Sequence, residues 1–296
     1  MATGTTEFFD KTLLAGTSGS TEGTYIGEVW SRYLIVQVEK KLGLANLCDR
    51  RYESDLAKGG DIIHVPDVSN LAVRTKSENT AISYETVTVT NTNITVNTIK
   101  YAAFSVEDVT AGQSMYDIRK LYMPKLSYAI EKDIDSAVAS LYSGFTANSN
   151  TIGTYNTDID EDLILLAKQK LDDGDVPASP RYLVIPPRQE AAIRKINRFT
   201  NKDYSVADFG GFAKPRPGMF MGSIHGFDIH VSTNLTATGS SVDCAAYHPE
   251  AITLVVGKKP DVREFYDMDY FALKIGALYV YGTAEMRDAY GVFIKG

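Results

Sequence analysis

The sequence predicts an α+β fold, and three observations carry that expectation. Residues 114–142 place apolar side chains three or four positions apart, the spacing of a long helix with one buried face. Residues 61–66 and 84–99 are instead rich in Val, Ile and Thr, which suits extended strands. In the second half, short helical segments are interspersed with short extended ones of mostly antiparallel character.

The size and composition narrow the class. A chain of 296 residues holds one large domain or two small ones, and 44% hydrophobic with 23% charged residues excludes wholesale disorder. Thirty basic residues against 37 acidic ones leave a net charge of −7, which argues against strong, unspecific nucleic-acid binding over the whole surface. Cys48 and Cys244 are too few for a disulfide framework or a four-thiolate zinc site, and suit a reducing compartment. The first residues lack a basic start followed by an apolar run, so no signal peptide is expected. No apolar run reaches the roughly 18 residues of a membrane-spanning helix.

Taken in order, residues 1–27 are rich in Thr, Ser and Gly, with Phe8, Phe9, Leu13 and Leu14 as apolar anchors. Such a segment cannot offset its own ordering entropy and is expected to order only against a partner. Val29, Trp30, Tyr33, Leu34, Val38 and Leu42 predict a helix over 27–42, ended by Gly43, with Trp30 as a packing anchor. Strands follow at 61–66 and 84–99. In the second, Val87 and Val89 share one parity and Ile94 and Val96 the other, which predicts a bulge or bend near Asn91-Thr92-Asn93. The polar stretch 67–83 has no core pattern, and a two-stranded ribbon alone is marginal, so this hairpin is expected to lean on a neighbouring chain.

Within the 114–142 helix, Pro124 predicts a kink or the true helix start. Asp158 with Glu161 reads as a capping box for a helix to about Leu171. Residues 181–186 read as a buried strand, and Pro187 opens a helix through Phe199. Residues 201–218 read as a loop, and strands are expected at 227–231, 251–255, 271–281 and 292–295.

The search for chemistry returns little. The acidic run Asp158, Asp160, Glu161 and Asp162 fits a helix N-terminus better than a metal site. His64, His225, His230 and His248 have no ligand spacing around them. Gly257-Lys258-Lys259-Pro260 lacks the upstream glycine of a phosphate loop and reads as a turn. Neither Ser223, Ser232 nor Cys48 has a nucleophile's surroundings. No catalytic, cofactor-binding or metal-ligating residue is assigned, and no enzyme is expected.

Charge is unevenly spread. Residues 131–175 carry 10 acids and 3 bases, whereas residues 181–216 carry eight bases, Arg194, Lys195 and Arg198 among them. An acidic flank and a basic flank on one subunit suit a head-to-tail contact in a ring of identical copies.

The order of these parts resembles the HK97-like major capsid proteins of tailed bacteriophages, over nearly the whole chain from about Thr24. Gly59-Gly60-Asp61-Ile62-Ile63-His64-Val65-Pro66 is similar to the start of that family's extended E-loop. Arg181-Tyr182-Leu183-Val184-Ile185-Pro186-Pro187 is similar to the first A-domain strand and helix start. Gly222-Ser223-Ile224-His225-Gly226-Phe227-Asp228 is similar to the family's glycine–phenylalanine turn, and His248-Pro249-Glu250 and Tyr279-Val280-Tyr281-Gly282 to its closing strands.

The resemblance implies an N-terminal arm at 1–27, an arm helix and lead-in at 28–60 and an E-loop at 61–100. It implies a P-domain with its spine helix at 101–156, an A-domain at 157–258 and P-domain return strands at 259–296. The implied function is a coat protein whose pentamers and hexamers tile an icosahedral shell around double-stranded DNA, made in the host cytoplasm and residing in the virion. Implied partners are further copies of itself, a scaffolding protein, a portal and a decoration protein, with no cofactor and no membrane. Subunit contacts are expected at Phe8, Phe9, Lys76, Val87, Val89, Ile94, Val96, Arg194, Lys195 and Arg198. Lys76 lies in the E-loop, where some relatives form a lysine–asparagine cross-link, although no asparagine partner is identifiable. A nanocompartment shell enclosing cargo enzymes and an oligomeric α+β enzyme are the alternatives.

Overall fold

A computed structural model describes residues 43–56, 60–68, 71–114, 117–196, 219–238 and 241–296. The N-terminal arm with Phe8 and Phe9, the helix expected at 27–42, the loop at 201–218 and Arg198 lie outside the described residues.

The regular elements in chain order are α1 (Glu53–Leu56), β1 (Ile62–Val68), β2 (Val89–Thr95), β3 (Thr98–Glu107), α2 (Asp108–Gln113), α3 (Ile118–Ser140), β4 (Thr151–Gly153), α4 (Glu161–Asp173), β5 (Tyr182–Ile185), α5 (Pro187–Ile193), β6 (Phe220–Ile224), β7 (Phe227–Val231), β8 (Ala237–Thr238), β9 (Ser241–Tyr247), β10 (Ile252–Asp267), β11 (Ala272–Glu285) and β12 (Gly291–Lys295). They form a β1–β2 hairpin, a three-stranded antiparallel sheet β10-β11-β3, and a mixed sheet ordered β4-β12-β9-β5-β7-β6 with β8 paired to β9. This is the α+β layout the sequence predicts.

The mixed sheet is the best-packed part. Leu183, Ile185, Ile229, Ala246 and Ile294 from its strands meet Ile164, Ala167 and Leu171 of α4 and Ile193 of α5 in one buried cluster. Strand β9 sits between β12 and β5. Its central place buries both faces, so Ser241-Val242-Asp243-Cys244-Ala245-Ala246-Tyr247 works as a strand despite modest β-propensity. Buried Gln189 of α5 accepts a hydrogen bond from Ile159 N–H at 2.8 Å and donates to Thr157 C=O at 3.0 Å. That bridge replaces the expected capping box: α4 starts after Asp160, whose side chain caps nothing, and Asp158 stands outside the helix.

Helix α3 crosses one face of the three-stranded sheet, with Leu126 and Ile130 in a cluster with Ala277, Tyr279 and Tyr281 and with Ala102 and Phe104 packed against it. Asp117 caps its start by accepting from Lys120 N–H at 3.2 Å, so Pro124 lies inside the helix rather than at its beginning. Proline there only leaves one carbonyl of the first turns without its helical donor. Buried Asp135 accepts from Gly43 and Ala45 N–H at 2.8 and 3.1 Å and anchors the chain entering from the N-terminal side.

Three strand expectations are corrected. The β1–β2 register runs unbroken from Ile62↔Thr95 to Val68↔Val89, so there is no bulge at 91–93. Alternation explains the parity change: Thr92, Ile94 and Val96 face inward, while Val87 and Val89 are apolar side chains left exposed. The expected long strand is two, β2 and β3, and pairing begins only at Val89. Residues 257–260 are not a turn, because β10 continues through them to Asp267 with register shifts at Val256/Lys258 and Lys258/Asp261. Pro260 is tolerated because β10 is an edge strand and the shifts remove the need for its missing N–H. Strand β3 runs through position 100 and β10 through position 258, so neither position breaks regular structure.

Candidate subunit interface

The hairpin root has its own small core, contrary to the expectation that the ribbon has nothing of its own to pack on. Ile94, Val96 and Val255 are buried together, with Tyr52, Leu56, Ile63 and Val65 packed around them. Two glycines make this seat. A Cβ on Gly257 would stand 2.9 Å from Leu56 and 3.0 Å from Val96, and one on Gly282 would collide with the Thr95 carbonyl. Ile94 and Val96 are thereby spent inside their own chain and offer no surface to a neighbour, which corrects their assignment as subunit contacts.

Beyond Val68 and Val89 the two arms stop pairing. Between 71 and 88 the contacts that join them include Ala72 N–H to Glu85 at 3.1 Å and Arg74 to Ser83 at 3.0 Å, with a tight turn at Ser77–Thr80. Leu71, Val73, Ile82, Tyr84 and Val87 are all exposed, Tyr84 by 87%. Lys76 is exposed beside this turn. Water-facing apolar side chains in this density exceed the scattered singles of an ordinary surface.

A second exposed apolar surface is the face of the three-stranded sheet opposite α3. Ile99 and Tyr101 of β3, Leu278 of β11 and Phe265 of β10 point from it, Tyr101 being 78% exposed. Registers Tyr101↔Leu278 and Ala103↔Gly276 place these side by side around a shallow groove lined by Ala103, Gly276 and Arg263. The covered face is pinned by Asp133 of α3, which accepts from Lys100 Nζ at 2.5 Å and from the Tyr279 and Tyr281 hydroxyls at 3.0 and 2.8 Å. Burial works to raise the Asp133 carboxyl, but these donors outweigh it and hold the group below the ordinary carboxylate range. At the far end Met268, Tyr270 and Phe271 are exposed at the β10–β11 turn.

The two charge blocks already touch within one subunit. Buried Arg181 pairs with Asp172 at 2.7 Å, Lys195 lies 3.8 Å from Asp158, and Arg194 pairs with Glu190 on its own helix. Arg194 and Lys195 stay largely exposed.

No reactive constellation forms among the described residues, and no group of three or more His, Cys, Asp or Glu there could hold a metal ion. Burial pushes the Cys48 and Cys244 thiols up to about 12, where a thiolate nucleophile is not formed near neutrality. Burial likewise pushes His230 down to about 4, and its ring packs against Tyr182 and Phe220. His225 faces Glu161 at 3.1 Å, and His248 caps a short turn by accepting from Glu250 N–H. The sequence reading missed the sheet-face residues Ile99, Tyr101, Phe265 and Leu278. Alternation in 98–107 was the available signal, but it shows two faces without saying which one the long helix covers.

A glycine-seated hairpin, a long helix across a three-stranded sheet and a mixed sheet beyond define an HK97-like capsid fold, and solved capsid structures share it. A structure from Mycobacterium phage Che8 matches with a TM-score of 0.74 at 24% identity, over 91% of this chain and 97% of that one. The capsid of cyanophage P-SCSP1u matches with a TM-score of 0.71 at 13% identity, covering 97% and 98% of the two chains. The mature capsid of bacteriophage PhiM1 gives 0.67 at 15% identity, covering 91% of each. No curated protein matches the sequence. Residues 86–294 match the phage capsid protein family, and the chain belongs to that family. Its function is that of a phage major capsid protein, and the nanocompartment alternative is not favoured.

Proposed function

We propose that copies of this chain assemble through the hairpin arms and the open sheet face into pentamers and hexamers that close an icosahedral shell around double-stranded DNA. The observation that carries this reading is the concentration of exposed large apolar side chains on those two regions. Left in water they would be an aggregation liability, and covered by neighbours they supply the hydrophobic core that subunit interfaces need. Val87 and Val89 on the arms are contact residues in this reading, as are Phe8 and Phe9 of the arm, and Lys76 at the tip makes a polar contact. Arg194, Lys195 and Arg198 form the basic side of a head-to-tail contact. The E-loop spans 61–100, the A-domain 157–258, and the P-domain the segments 101–156 and 259–296.

The net charge of −7 supports a container rather than a condenser, since tight DNA binding by every subunit would oppose genome release. A scaffolding protein, a portal and a decoration protein complete the particle, which is assembled in the host cytoplasm. Negative-stain electron microscopy of the purified chain, expressed with and without a candidate scaffolding protein, tests the reading. Closed shells or rings of five and six subunits are expected. A persistent monomer or dimer under both conditions overturns it.

A further inference from the structure

Three chain segments cross between the three-stranded sheet and the mixed sheet, and they are stitched together at one place. They are 141–150 leaving α3, 248–251 between β9 and β10, and 286–290 between β11 and β12. Met286 N–H donates to Ala251 C=O at 2.8 Å, and His248 N–H to Tyr290 C=O at 3.1 Å. Asp288 accepts from Thr146 and Ala147 N–H, both at 2.8 Å, one on each carboxylate oxygen. Asn150 reaches Gly291 C=O at 2.9 Å.

Glu285, the last residue of β11, points into this junction. Its side chain lies over Gly144, where any Cβ would collide with the carboxyl. Its Oε1 is buried without a donor, and the group it meets is the Asp288 carboxylate. Two carboxylates in contact need one proton between them. Both Asp288 oxygens already accept backbone N–H groups, whereas the buried Glu285 oxygen has no donor, so Glu285 is the member of the pair placed to carry the proton.

Among the described residues no cation pairs with Glu285 or Asp288. Arg287 turns away to donate to the Tyr290 hydroxyl at 2.8 Å, with its guanidinium over that ring. The residue opposite Glu285 on β10 is Ile252, and the 144–147 segment presents Gly144, Phe145, Thr146 and Ala147. His248 stacks edge-on against Tyr290 and is held down by burial, and Glu250 of the same segment pairs with Arg51 at 3.1 Å.

We propose that the Glu285–Asp288 carboxyl pair is a proton-operated clasp between the two sheets, closed while the pair shares a proton and loosened when that proton leaves. Burial first, and then the charge of Asp288, push the Glu285 carboxyl from its ordinary 4.5 up to about 7, so the clasp opens across neutral pH. The sign follows from linkage. A carboxyl raised in the folded state favours folding fully below 4.5, and that contribution drains away as pH rises towards 7. The inference goes beyond the shell reading and does not rest on it, because the clasp lies within one chain.

Hydrogen exchange of the full chain, followed by mass spectrometry in EDTA and corrected for intrinsic rates, tests it. Protection over 142–150 should fall about tenfold between about pH 5.5 and about pH 8, a value set below the full shift because Glu285 is only partly buried. Glu285→Gln, whose amide donates to Asp288 without titrating, should keep the low-pH protection at both values. Unchanged wild-type protection, loss spread evenly over the whole chain, or a Glu285→Gln variant as pH-sensitive as the wild type would each overturn the proposal. Selective carbon-13 labelling of glutamate carboxyls needs no variant: one resonance should titrate near 7, and none doing so would also overturn it.

Discussion

The mixed sheet and the hairpin with its neighbouring three-stranded sheet obey opposite rules within one chain. Around β5 and β9 nearly every apolar side chain finds a partner, and Val184, Ile185, Cys244, Ala245, Ala246 and Tyr247 are all buried. Along 71–89, and on the open face of β3, β11 and β10, comparable side chains stand in water: Val73, Tyr84, Val87, Ile99, Tyr101 and Phe265. The first region is satisfied by its own chain. The second carries apolar surface that a single subunit cannot cover, as expected of a protein whose complete fold is reached only in an assembly.

Truncations should separate the two regions. Phe227→Ala, in the buried cluster under the mixed sheet, should cost about 3–5 kcal/mol and lower the thermal midpoint of the isolated chain markedly. A near-silent melt would mean that this sheet is not the stability centre. Asp133→Asn should cost about 1–2 kcal/mol by weakening hydrogen bonds that join α3 to β3 and β11. Because the Asp133 carboxyl is held below its ordinary 3.8, its contribution is present above that value and is lost as pH falls through its own lower one. The variant should therefore be weaker near neutrality yet lose less on acidification, which acid titration of both proteins would check.

Smaller effects on the fold are expected where the effect on assembly is greatest. Tyr84→Ser with Val87→Ser should change the melt of the subunit by no more than about 0.5 kcal/mol while abolishing closed particles in electron micrographs. Intact shells would show that the hairpin arms are not interfacial. The least effect should come from reversing Arg194, Lys195 and Arg198 to Glu. Stability should hardly move, and assembly should fail at low salt but recover in part as salt screens the repulsion. Assembly yields that ignore both the reversal and the salt would remove these residues from the interface.

Much of this molecule is legible in the residues. The α3 periodicity, the buried strand after Arg181, the proline that opens α5 and the Val- and Thr-rich hairpin all follow from local propensity and pattern. Other parts were hidden for identifiable reasons. Strand β9 is built from Ser, Asp, Cys and Ala, and only its central place makes it a strand. Strand β10 passes through Gly257 and Pro260, which normally end strands and are accommodated here by an edge and two register shifts. Ile94 and Val96 look like their exposed neighbours Val87 and Val89, and only the seat formed at Gly257 and Gly282 tells them apart.

By itself, then, the sequence determined the long helix, the buried strand after Arg181 and the helix that Pro187 opens, and that the chain carries more apolar surface than its hairpin can bury. These are properties of neighbours along the chain, set by propensity, alternation and residue type. Tertiary structure alone decided which face of β3 lies under α3, that Arg181 and Lys195 meet acidic partners in their own subunit, and that Glu285 faces Asp288 across a junction of three segments. Those outcomes depend on long-range packing between residues far apart in the chain, such as Asp133 and Tyr281 at 148 positions, and no local pattern encodes them.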